Sequence, residues 1–136
     1  MNKRYVALLL WVVLVISGPL TGGIALASST SRIAASPEYL VLYAVEGATA
    51  TQTQTFYIAN GGTGTLNFNL SKSTGWFGVN STSGSASTNR ATITVTVNPS
   101  GLGSGGSPYI GDITISNADV SQDTKKVRVR DRKSVV

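Results

Sequence analysis

The sequence predicts an all-β sandwich of about seven strands behind an N-terminal export signal. Three observations carry this prediction. Apolar and polar residues alternate in short runs, clusters of Gly, Asn, Ser and Pro separate those runs, and no stretch after the signal places apolar residues at helical spacing.

The first element is the signal. "MNKR" is a basic start, Tyr5 to Ile16 is apolar, Gly18 and Pro19 break any helix, and Ala25-Leu26-Ala27 fits a cleavage site before Ser28. Residues 1–27 are therefore read as a cleaved signal peptide, and the protein as secreted or held at the cell surface. The alternative is an uncleaved anchor, since Tyr5 to Ala27 could span a bilayer if Pro19 is tolerated. A membrane becomes a partner only in that case. Residues 28–36 read as a short polar lead, 37–130 as the sandwich and 131–136 as a basic C-terminal tail.

Within the sandwich, "EYLVLYA" puts Leu40, Leu42 and Ala44 on one side. After a turn at Glu46-Gly47, "QTFYIA" points Phe56 and Ile58 inward. Joined by a short turn, these two strands are expected to be antiparallel neighbours. "NGGTGT" turns the chain into Leu66, Phe68 and Leu70, which alternate with polar residues. "GWFGV" is a short apolar patch. Ala91, Ile93, Val95 and Val97 then alternate with three threonines until Pro99, which lacks an N–H, ends the strand.

The glycine-rich stretch "NPSGLGSGGSPYIGDITI" invites a phosphate-loop reading, but that loop needs Lys and Ser or Thr opening a helix. Here the glycines lead instead into a period-two run from Tyr109 to Ser116, and hence a strand. "NADVSQD" turns into a last short strand in which Val127 and Val129 alternate with Arg128 and Arg130. That pattern predicts an edge strand protected by charge, with homo-assembly through it as one consequence.

The ordered segments "LVLYAVEG", "FYIANGGTGTLNFNLS", "GWFGVNSTSGS", "TITVTVNPSGLGSGG" and "YIGDITISN" resemble the BACON family of modules in exported bacterial and some viral proteins. The resemblance runs from about Ser36 to Val129. It implies an immunoglobulin-like β-sandwich, in which Asn98 to Pro108 crosses from one sheet to the other and Leu102 plugs the end of the core. Gly111 would then leave room for a bulky neighbour such as Trp76 or Phe68. The family name reflects a proposed carbohydrate-binding role, and its members often sit beside glycoside hydrolases.

Composition narrows the chemistry. With no His and no Cys among 136 residues, Ser-His-Asp and Cys-His catalysis and the usual zinc sites are excluded. No pair of carboxylates is placed to flank a glycosidic bond. "NADVSQD" spaces Asn117, Asp119, Ser121 and Asp123 like the start of a calcium loop, but it lacks the sixth-position glycine and the twelfth-position acid, so it reads as a turn. No enzyme activity, cofactor or metal is expected. Asn69 and Asn80 fit a glycosylation pattern that matters only in a glycosylating host.

The net charge of +5 is local. Six of the eleven cations lie between Lys125 and Lys133, whereas residues 28–124 carry three cations against five carboxylates. A solvated charged strand explains this, and no nucleic-acid partner is expected of an exported chain. Aromatic residues remain as ligand candidates. Tyr43 and Tyr57 fall on the outward parity, and a hairpin register would set them about 7 to 8 Å apart as a sugar platform. Trp76 reads as core first and as platform second. The expected function is an exported binding module for carbohydrate or another surface polymer. The alternative is a structural spacer, or a subunit of a surface assembly completed by a neighbour's strand.

Overall fold

The structure, a computed structural model, describes residues 30–135; the signal peptide expected from the sequence lies outside the described residues. The alternating runs become nine strands: β1 (Ile33–Ser36), β2 (Tyr39–Val45), β3 (Gln52–Asn60), β4 (Leu66–Lys72), β5 (Phe77–Val79), β6 (Ser83–Ala86), β7 (Ala91–Val97), β8 (Tyr109–Asn117) and β9 (Thr124–Ser134). They form a four-stranded sheet in the order β1-β3-β7-β5 and a five-stranded sheet in the order β2-β9-β8-β4-β6. The fold is an immunoglobulin-like β-sandwich, as the sequence predicts. Against the seven expected strands, the two additions are short: β1 falls within the segment read as a polar lead, and β6 comes from the loop after the apolar patch, which itself forms β5.

Period-two alternation gives each strand one apolar side, and burying it requires a second layer. Phe56, Ile58, Phe77, Ile93, Val95 and Val97 of the smaller sheet face Leu40, Leu42, Leu66, Phe68, Ile113, Ile115, Val127 and Val129 of the larger, all buried. Gly111 of β8 lets the sheets approach. A Cβ there would lie 2.6 Å from Phe77 Cε1 and 2.7 Å from Thr74 Oγ1, so the bulky neighbour is Phe77 rather than Trp76 or Phe68. Phe68 has its own glycine, Gly84, where a Cβ would come within 2.7 Å of its Cζ.

The glycine-rich stretch does cross between sheets, from β7 in one to β8 in the other. Gly101 takes a φ of 83° there, Leu102 packs on the core margin, and the Tyr109 hydroxyl donates to the Gly103 carbonyl at 3.0 Å.

Two expectations are corrected. β2 and β3 are not a hairpin: they lie in opposite sheets, β2 pairing in parallel with β9 and β3 pairing with β1 and β7. Inward-facing residues recur with the same parity whether two strands lie side by side or face each other, so periodicity alone cannot separate the two arrangements. At this join, the Gln54 side chain donates to the Val41 carbonyl at 3.1 Å and the Gln52 side chain donates to the Tyr43 carbonyl. They occupy acceptors that the outer edge of β2 would otherwise expose.

The C-terminal strand is not an edge either. β9 is the longest strand, at 11 residues, and is paired on both sides, in parallel with β2 and antiparallel with β8. It runs into the residues read as a basic tail because Asp131 and Lys133 continue its inward parity as an ion pair whose side chains are fully buried. Polar letters at inward positions hide the strand's true end.

Candidate functional site

The three candidate residues fall in three places. Tyr43, on β2, stands on the outer face of the five-stranded sheet and is 66% exposed. Tyr57, on β3, is half-buried on the outer face of the other sheet, where the Arg90 guanidinium carbon lies 3.8 Å from its ring centroid. Beside it is a shallow apolar hollow of about 300 Å³ bounded by Ala34, Pro37 and Ala59. Trp76 is half-buried on the core margin, edge-on to Phe77 at 4.9 Å and 6.1 Å from Tyr109. The Tyr43–Tyr57 platform therefore does not form, because it depended on the hairpin.

A different cluster forms around Tyr43. The parallel register sets Tyr39 beside Arg128, Val41 beside Arg130 and Tyr43 beside Arg132, and the antiparallel register continues these rows to Asp112 and Ile110 on β8. Tyr39 is 46% exposed and Ile110 49%. Of the five large apolar side chains exposed among the described residues, Tyr39, Tyr43, Val45 and Ile110 belong to this face, and the fifth, Val135, comes just after β9. Such concentration in one place marks an interaction surface more strongly than scattered exposure does.

The polar groups between them are unevenly occupied. Arg128 donates from Nε and Nη2 to both Asp112 oxygens, at 2.9 and 3.3 Å. The Arg128 hydrogen bond holds the Asp112 carboxyl below the usual carboxylate range, against partial desolvation. The same bond raises the Arg128 pKa. Arg130 Nη1 donates to the Tyr39 hydroxyl at 3.3 Å and fixes that ring's orientation. The Arg132 side chain, exposed beside Tyr43, makes no hydrogen bond or ion pair among the described residues. No group of three or more His, Cys, Asp or Glu is placed to hold a metal ion among the described residues.

Tyr39 shares the parity of Tyr43 in "EYLVLYA", and the arginines alternate visibly in "RVRDR". What places them together is the pairing of β2 with β9, strands separated by most of the domain's length.

The sequence profile of the viral BACON domain matches residues 32–126. The chain belongs to the BACON family. Among curated proteins, none matches it. Solved structures similar to this BACON domain share its fold at low identity. A Bacteroides ovatus GH5 xyloglucanase in complex with a XXXG heptasaccharide is 15% identical over 77% of this chain and 19% of its own, with a TM-score of 0.56. The PapD-like domain 7 of human CEP192 is 14% identical over 79% of this chain and 88% of its own, at 0.59. WR4, a C. elegans MSP family member, is 16% identical over 77% of this chain and 100% of its own, at 0.53. At these identities the likeness concerns the fold alone.

Proposed function

We propose that this BACON domain is an exported, non-catalytic binding module that holds carbohydrate, or another surface polymer, on the outer face of its five-stranded sheet. The observation that carries this is the exposure of Tyr39 and Tyr43 on one strand of that face. A tyrosine ring offers a flat apolar surface to the C–H face of a sugar and a hydroxyl to its rim, and a sheet holds such rings without a loop rearranging. Family membership supports a binding role. The rival reading, a subunit completed by a neighbour's strand, rests on an incomplete last strand, and β9 is paired on both sides.

Two open rings on a flat face give weak affinity, on the order of 0.1 to 1 mM. Affinity electrophoresis through gels containing soluble polysaccharides tests the reading. Tyr39→Ala and Tyr43→Ala should each weaken retention about tenfold, roughly 1.4 kcal/mol, with unchanged melting. Unaltered retention of the double variant would remove the face as the site.

A further inference from the structure

Beyond the tyrosines, the face carries a line of charge. Strand alternation puts Lys126, Arg128, Arg130 and Arg132 on the outer side of β9, at intervals of roughly 6.6 Å. Against these four cations, the outward residues of all five strands include one carboxylate, Asp112, and it is engaged by Arg128. The rest of the domain through Thr124 carries more carboxylates than cations. Positive charge is therefore concentrated on this face.

The charge is also aligned with the rings. β2 and β9 run in parallel about 4.8 Å apart, so a track of tyrosines lies directly beside a track of cations. Tyr39 and Tyr43 are four residues apart along β2, roughly 13 Å, the span of a short oligosaccharide. A ligand matching both tracks is a linear chain of rings with a negative charge recurring along one side.

We infer that this face takes a linear anionic polysaccharide, a uronate-bearing chain lying along β2 with its carboxylates over β9. The inference rests on the glycan reading of this face and narrows it. Arg132 is the principal anion partner, because its guanidinium is free and adjacent to the most exposed ring. A planar guanidinium meets a carboxylate through two parallel hydrogen bonds. Arg128 contributes less, since Asp112 already occupies it, and Arg130 acts chiefly by positioning Tyr39. A sheet-like membrane surface would leave the alignment of the two tracks without a purpose. A nucleic-acid strand shares the charge pattern but is not an expected partner of an exported chain.

The test is retention of the whole exported chain in gels containing alginate or polygalacturonate, with xyloglucan as the neutral probe and single-stranded DNA as the rival polyanion. Retention by the two uronans should exceed that by xyloglucan at least tenfold and should fall about tenfold between 50 and 500 mM NaCl, as screening shortens the reach of exposed charges. Arg132→Gln should lose about tenfold on uronans, and Arg132→Lys should recover only part of that loss, because it keeps the charge without the two parallel hydrogen bonds. Equal, salt-insensitive retention by xyloglucan would overturn the anionic assignment while leaving the glycan reading in place. Retention by no polysaccharide would overturn both. Stronger retention by single-stranded DNA than by either uronan would overturn it in favour of a nucleic-acid partner.

Discussion

The two outer faces of this sandwich are built by the same alternation and differ in almost everything else. On the four-stranded sheet, Thr53 stands opposite Thr96 and Thr55 opposite Thr94, and the one large ring, Tyr57, is half-buried under Arg90. Cross-strand threonine pairs of this kind stabilise a solvated sheet through β-branched packing and hydroxyl contacts. On the five-stranded sheet, tyrosines and arginines stand where threonines would serve folding as well. One face is explained by the needs of a sheet in water. The other carries side chains that folding does not require, and those are what a binding role must account for.

Removing the support that both faces share would break this contrast most severely. Asp131→Ala leaves Lys133 as a buried cation without its partner, which should cost about 3 to 5 kcal/mol and be read as a lower urea midpoint. Replacing both residues by Leu should cost far less, because the buried charge is then absent. A double variant as unstable as the single would show that packing, not charge, is what matters at this end of the core.

Next in size is the lock between the sheets. Gly111→Ala drives a methyl group into the Phe77 ring and should cost about 1 to 3 kcal/mol by overpacking. Phe77→Leu in the same chain should recover part of the loss. If Gly111→Ala alone melts like the parent, the sheets are less tightly apposed than their geometry indicates.

The smallest expected effect sharpens the contrast itself. Tyr57→Ala and Arg90→Ala remove the one aromatic feature of the threonine face, and polysaccharide retention should change less than twofold. A loss comparable to that of Tyr43→Ala would move the site to the hollow beside Tyr57.

How far the sequence could be read depends on the range of each pattern. Inward parity is local, so the inward runs Leu40-Leu42, Phe56-Ile58 and Ile93-Val95-Val97 are legible, as is the crossing after Pro99. Sheet membership is not local. Val45 and Gln52 bound a short connection that looks like a hairpin turn and instead passes from one sheet to the other. The end of β9 is hidden because a buried Asp131–Lys133 pair has the letters of a solvated tail. Tyr43 is legible as an outward aromatic residue. Its partnership with Arg132 is not, since it depends on a parallel pairing that no nearby residue specifies.

The placement of the first and last strands of the sandwich has a mechanical consequence. Ser31 and Ile33 are tied to the β8–β9 turn, where the Ile33 N–H donates to Asp123 at 2.8 Å and the Asn117 amide reaches the Ser31 carbonyl. At the far end, Ser134 accepts from the Glu46 N–H and the Lys133 N–H donates to Ser107. The full length of β9, roughly 35 Å, separates these points. Tension applied through these two points would therefore run along the strand axes. It would shear β1 against β3 and β9 against both of its neighbours, so that many ladder hydrogen bonds, lying across the direction of pull, bear the force together. Pulled this way, the ladders would not unzip one bond at a time, and the five-stranded sheet would resist as a unit.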